Sequence, residues 1–446
     1  MTISLKGFLS FALLLLLATL VFGVLSSSAF LYPVYFNKFL PFYLLRPLHV
    51  SAAVFWIITG ATGCIIYYRK EVFEVKKDNV FIPLFKITWV VTILAVFIAY
   101  AGRLFGGKEY WEFPPILCIP LLVAWLFFML SYFPAWKKHD NKMSAYSIMW
   151  STGILFFLIT FIEQNLWQIQ WFRQSYLREI TVQWKANGSM VGAWNQMIYG
   201  TFFFLMTRLS GDEMLARGKK VYFFYFLGLT NLMFNWGHHI YNVPTAGWIR
   251  HVAYAISMTE WLFLINIIQG FKSKLSERRK LNHFITYRFL ITAEIWVFIN
   301  LLLAIGMSIP AINRYTHGTH ITVAHAMGAT IGINTMILLG GIGYMIGIER
   351  LTARAKRILT ITHYVAQVSL GIFWVSLVIA GMLKGYRSVA MNITDFQLMM
   401  KPVFQVLSVF AIAGIGLLAG LGIIVIIYLL VIWKGIQITT AESNKR

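Results

Sequence analysis

Twelve apolar runs divide the sequence, each long enough to cross a bilayer. They fall at about 8–30, 46–68, 82–103, 114–136, 145–168, 187–208, 220–242, 250–271, 285–308, 321–347, 358–383 and 404–433. About 20 consecutive apolar residues span the hydrocarbon as a helix, whose backbone satisfies its own polar groups. Only 12% of the 446 residues are charged, against roughly 25% in a soluble domain. The fold class that follows is an all-α integral membrane protein, a bundle of about 12 transmembrane helices forming one membrane domain over 1–446. The first run, after Lys6 and before Ser26–Ser28, has some look of a signal peptide. Its length and continuity with the other runs favour a retained helix.

A formal charge of +22 would point to nucleic acid in a soluble chain. Here the basic residues sit in alternate short loops, so they set orientation and imply no nucleic-acid partner. Arg69, Lys70, Lys76 and Lys77 follow the second run; Lys137, Lys138 and Lys142 follow the fourth; Arg217, Lys219 and Lys220 follow the sixth. Lys274, Arg278, Arg279 and Lys280 follow the eighth, and Arg350, Arg354, Lys356 and Arg357 the tenth. The positive-inside rule then places both termini in the cytoplasm, in a cell inner membrane. Cys64 and Cys118 lie within apolar runs, fit no zinc or redox pattern, and read as packing residues.

The histidines carry the functional signal. On this topology His49, His238, His239, His317, His320 and His325 all fall toward the non-cytoplasmic side. Ionisable groups in a bilayer usually line a site, and a shared depth across distant segments points to a buried redox centre. The adjacent pair in Asn235-Trp-Gly-His-His-Ile-Tyr241 is harder to place in a core than a lone histidine. Taken singly, His49 could be interfacial, and Glu260 or Glu294 an interhelical hydrogen-bonding group. His139, His283 and His363 fall in or near cytoplasmic loops, where a solvated or headgroup role is expected; His251 reads as interfacial.

Three segments carry a resemblance. They are Leu48-His49 with Trp56 and Gly60-Ala-Thr-Gly63; Gly237-His238-His239 with Glu260, 21 residues after the second histidine; and Tyr315-Thr-His-Gly-Thr319 with Ala324-His325. Together they resemble the catalytic subunit of nitric oxide reductases, within the haem–copper oxidase superfamily, over most of the chain. The resemblance implies that His238 and His239 hold a non-haem iron, for which imidazole is a suitable ligand. It implies His325 as proximal ligand of a high-spin haem b and His49 as an axial ligand of a second, low-spin haem b. Glu260 would be the buried carboxylate that delivers protons, and Glu112 an acid that holds calcium between haem propionates.

Two departures qualify this. In Trp184-Lys-Ala-Asn187-Gly-Ser-Met-Val191, Asn187 stands where the family places a third metal-binding histidine, and Val191 where it places a glutamate. An amide is a weaker ligand and valine is none, so the site holds iron more weakly, or another metal, or no metal. Val191 also removes the tyrosine that oxygen reductases of the main type carry there. In His325-Ala-Met327 a methionine replaces the family's second histidine. Met327 then pairs with His49 on a low-spin haem of raised potential, or fills the space of a lost haem.

The resemblance implies conversion of 2 NO to N2O and water, with Asn187 and Glu260 beside the reacting molecules. The bilayer lipid and a cytochrome c subunit or other electron donor would be the partners. Asparagine at the metal site also resembles nitric oxide dismutases, which form N2 and O2. From other classes, a non-catalytic haem protein that binds NO and a secondary transporter remain alternatives; matched short, interrupted spans of the transporter kind are not evident.

Overall fold

The structure is a computed structural model that describes residues 1–138, 143–241, 243–258 and 283–434. It is helical throughout, as the apolar periodicity requires. The long helices are α1 (Ile3–Leu31), α2 (Phe42–Val72), α3 (Phe81–Ala101), α4 (Cys118–Lys137), α5 (Ala145–Gln164) and α6 (Tyr176–Ser210). They continue as α7 (Lys219–Phe234), α8 (Phe284–Ser308), α9 (His320–Ile346), α10 (Ala353–Gly385) and α11 (Phe396–Lys434). Among the described residues nine helices are long and apolar enough to cross a membrane, so the chain is a multi-pass membrane protein. α6 falls outside the nine because it is more polar, and α7 because it has only 16 residues. The eighth apolar run, 250–271, is described only to residue 258; Glu260 and His139 lie outside the described residues.

Helix ends follow local chemistry. Thr2, Ser175, Thr319 and Thr352 each cap the first turn of a long helix through their hydroxyls. Gly211 and Gly347 close helices in the left-handed conformation. At the end that carries the basic loops, Arg69 is 1% exposed and paired through both terminal nitrogens, donating to Asp78 at 2.8 Å and to the Ser131 carbonyl at 3.1 Å.

Packing is sequential, with α1 on α2, α5 on α6 and α10 on α11, and α1 returning to α11. The two most enclosed spans are α2, 83% buried over its apolar window, and α9, 72%. These central helices carry His49 and the pair His325 and Met327. Their register is legible from one contact, because a Cβ added at Gly60 would stand 3.1 Å from Leu338. Gly60 follows His49 by eleven residues and Leu338 follows Met327 by eleven, so His49 and Met327 stand at similar depth.

α9 is not uniformly α-helical. Gly328–Thr335, directly after Met327, is π-helix. Thr335 donates to the carbonyl of Thr330, five residues back, at 2.8 Å, and accepts from Trp56 of α2 at 2.9 Å. Such widened turns occur mostly at functional sites.

One expectation is corrected. His363 is not a solvated loop residue: it is 3% exposed in α10, with Nε2 2.9 Å from Thr292 Oγ1 of α8. The tenth loop ends at Thr352, so ten further residues of helix carry His363 inward.

The close approach of α10 and α11 depends on Gly420, where a Cβ would stand 2.7 Å from the Ala366 nitrogen. Gly420→Leu should cost about 1–3 kcal/mol and lower the melting temperature measured by detergent-phase fluorescence. Gly371→Leu, whose Cβ would meet nothing within 4 Å, should leave it unchanged.

Candidate haem and metal site

The turn Asn235–Ile240 follows α7 as a short 3-10 helix and presents His238 and His239. Their ring centroids are 4.1 Å apart at 41°. The indole of Trp184 stacks on His239, 5.5 Å between centroids at 14°. α6 reaches this turn because Gly188 has no side chain. A Cβ there would stand 2.7 Å from the Trp236 Cβ and 3.6 Å from His239 Cδ2. Gly192 does the same one turn on, against Leu232 of α7.

Asn187, beside Gly188, is 1% exposed, and both its amide atoms are buried without a hydrogen-bond partner. Gln183, one turn earlier, is in the same state at both amide atoms. A buried amide normally finds partners, and leaving one unmade costs about 1–3 kcal/mol. These unpaired amides lie on the stretch of α6 whose Trp184 and Gly188 meet the histidine turn. His325 and His317 lie within electrostatic reach of His239. Histidines from α7's end, from α9 and from the segment before α9 thus share one region of the bundle. Burial also lowers the pKa of His317 below the ordinary imidazole value, so it stays neutral at neutral pH.

One candidate haem ligand is held by its other ring nitrogen. His49 Nδ1 is 2.8 Å from the Thr19 carbonyl, which fixes the proton on Nδ1 and leaves the Nε2 lone pair outward. A backbone carbonyl behind a histidine is the usual way its tautomer is fixed for metal ligation. His325 Nδ1, by contrast, is buried without a hydrogen-bond partner. Met327 is partly buried against the core.

The metal pair is less complete. Among the described residues no group of three His, Cys, Asp or Glu side chains gathers to hold a metal ion. The described residues thus bring two adjacent imidazoles together at this turn, with Asn187 beside Gly188 on the facing helix. Val191 packs as an ordinary apolar side chain.

Residues 4–416 match the family described as Cytochrome C and Quinol oxidase polypeptide I. The chain belongs to this family. Among curated relatives, a nitric oxide reductase subunit of Stutzerimonas stutzeri is 23% identical over 386 residues, covering 79% of this chain and 78% of that protein. A solved cryo-EM structure of a heme-copper terminal oxidase dimer matches with TM-score 0.73 at 14% identity, over 97% of this chain and 84% of that one. The chain is accordingly an oxidoreductase of the haem–copper oxidase superfamily, whose members bind haem and a metal at a binuclear centre.

Near the N-terminal end of α2, Arg46 pairs with Glu112 at 2.5 Å and Glu109 at 3.5 Å. The three line an open cleft of about 460 Å³ with Tyr43 and Lys108. Arg46 already supplies positive charge to Glu112, so a calcium ion at that carboxylate would have to share or displace it. Sequence reasoning missed Gln183 and the role of Gly188. The signal for the second was present as Gly188-x-x-x-Gly192, the small-residue spacing that lets membrane helices approach.

Burial and the neighbouring Glu112 charge raise the Glu109 pKa above the ordinary 4.5, while Arg46 opposes them. A carboxyl raised on folding contributes stability below its unfolded pKa, and loses it as pH rises through the folded value. The melting temperature should therefore fall as pH rises from 4.5, and Glu109→Gln should flatten that fall. The effect is small, since 43% of the side chain is exposed and solvent screens it.

Proposed function

We propose that this oxidoreductase is a nitric oxide reductase-type catalytic subunit, acting on NO in a chamber bounded by His325, His238, His239 and Asn187. The observation that carries the reading is the approach of His239 to His325 and His317 beside an orphaned, 1% exposed amide. The reaction is 2 NO + 2 e⁻ + 2 H⁺ → N2O + H2O. When bound, a haem b and a non-haem metal, by the family's pattern iron, would supply electrons and Lewis acidity.

The chain's own residues have distinct parts. His325 would hold the high-spin haem through Nε2, and His238 with His239 the metal through neutral nitrogens. Asn187 can accept through Oδ1, toward a metal, or donate through Nδ2 to an N–O group. Trp184 covers the flat face of His239 and keeps water from it. Val191 offers neither ligand nor phenol. Glu260 is assigned proton delivery on its position in the sequence. His49 and Met327, at similar depth, would hold a low-spin haem b that passes electrons inward, and Glu112 is retained as the calcium-binding candidate. An electron-donor partner follows from this chemistry, and we assign it to a membrane-anchored cytochrome c subunit.

The orphaned amide of Asn187 also favours a second reading, nitric oxide dismutation, 2 NO → N2 + O2, which needs no net electrons. Purified haem-loaded protein given NO anaerobically separates the two. Nitrous oxide formed only with reductant supports the reductase; O2 formed without it supports the dismutase. Neither gas would defeat both. Under the reductase reading His325→Ala should reduce turnover to background, and Asn187→His should raise bound metal per chain, measured by elemental analysis.

Met327→His should convert a His/Met haem to bis-histidine and lower its midpoint potential, read by spectroelectrochemistry. An unchanged spectrum and potential would remove Met327 from the ligand set.

A further inference from the structure

The seam between α8 and α10 holds polar groups that the chemistry above does not use. Arg288, Thr292, Trp296 and Asn300 recur at every fourth position of α8 and so share one face. Arg288 lies over the Tyr364 ring, 4.9 Å from its centroid, and its positive charge opposes an imidazolium at His363, so any added proton needs a negative charge to offset it. Trp296 donates to Gln367 at 2.8 Å, whose Nε2 reaches Met336 Sδ at 3.2 Å. Asn300 ends the row beside Gly328, three residues past His325: a Cβ added at Gly328 would stand 2.4 Å from Asn300 Oδ1. The seam thus runs from the basic end of the bundle toward the proximal histidine. Thr292 and Asn300 are about 12 Å apart at the helical rise of ~1.5 Å per residue.

The tautomer of His363 can be read from its partner. The Thr292 hydroxyl gives its one proton to the Arg288 carbonyl at 2.8 Å, so it must accept from His363 Nε2 at 2.9 Å. Neutral His363 then carries its proton on Nε2 and a lone pair on Nδ1, which is buried without a partner. It is a base enclosed in the bundle. The charged and titratable groups around it are few. Arg288 and the buried Glu294 lie on α8, and Tyr364 is next to it on α10. α9 from Ala326 to Gly343 and α11 from Phe404 to Ile432 contain no charged residue.

We propose that His363 is a redox-linked proton site, protonated at Nδ1 from the basic end when an electron reaches the haem at His325. The inference rests on the haem assignment above. One electron enters from the external one-electron donor, which is oxidised, and one proton leaves bulk water to form the Nδ1–H bond. Charge in a low-dielectric interior acts over such distances. A negative charge added near His325 is therefore offset by imidazolium formation along the seam.

The test is a redox titration of purified haem-loaded protein by absorbance, between about pH 5 and 8, where imidazole titrates. The midpoint should fall with pH in the unaltered chain, and His363→Gln should remove about half or more of that dependence. Its amide can still donate to Thr292, so a merely structural clamp would leave the dependence intact. A second measurement needs no variant: proton uptake on reduction, read with a pH dye in weak buffer. Bound haem with an unchanged slope in His363→Gln, or with no proton uptake, overturns the proposal alone. Protein that binds no haem at His325 overturns the haem assignment and this proposal together.

Discussion

The absence of a side chain at Gly188 sets how near α6 can come to the turn Asn235–Ile240. A Cβ there would stand 2.7 Å from Trp236, well inside van der Waals contact. Because that approach is allowed, the Trp184 indole lies flat on His239 and Asn187 is carried into the interior on the same turn of helix. Any larger residue would push α6 outward and separate the amide from the imidazoles. The geometry of the chamber follows from this one contact more than from the histidines themselves, which sit on a short 3-10 turn with little rigidity of its own.

The second organising constraint is the cost of burying polar atoms where water cannot reach them. The bundle meets it in two ways. His49 is answered by the Thr19 carbonyl and Trp56 by Thr335, each tying a central helix to its neighbour while fixing a ring. Asn187 and Gln183 receive no such answer within the protein. Asn187 and Gln183 therefore keep bonding capacity on the stretch of α6 that meets the histidine turn.

Much of this was legible in the sequence. Apolar runs fix helices because a bilayer leaves the backbone no other choice, and the described helices fall on eleven of the twelve runs, each over most of its length. His238, His239 and His325 could be singled out because adjacent or repeated imidazoles at one depth have no cheap structural use. Other features required the fold. His363 reads as a loop residue because it lies eleven residues past Thr352 beside a basic cluster, and sequence alone does not say how far α10 carries it inward. Gln183 could not be distinguished from any polar residue near a helix start, since its significance lies in unmet hydrogen bonds. The paired depth of His49 and Met327 needed the Gly60–Leu338 contact, because register between distant helices is a tertiary property.

The two substitutions that set this chain apart act in the same sense. Asn187 replaces an imidazole with an amide, and Met327 replaces one with a thioether; each exchanges a strong nitrogen donor for a weaker one. The surroundings have not collapsed around them, since Trp184 still covers His239 and Asn187 remains enclosed with its amide unpaired. On the proposed ligand set, a weaker donor at the metal would lower its affinity, and a thioether on a low-spin haem would raise its potential and slow electron passage inward. A reaction that consumes electrons at every turnover is hindered by the second change, whereas one that conserves them is not. The altered ligands therefore bear on electron demand more than on NO binding, and the chamber's shape, held by Gly188, would serve either outcome.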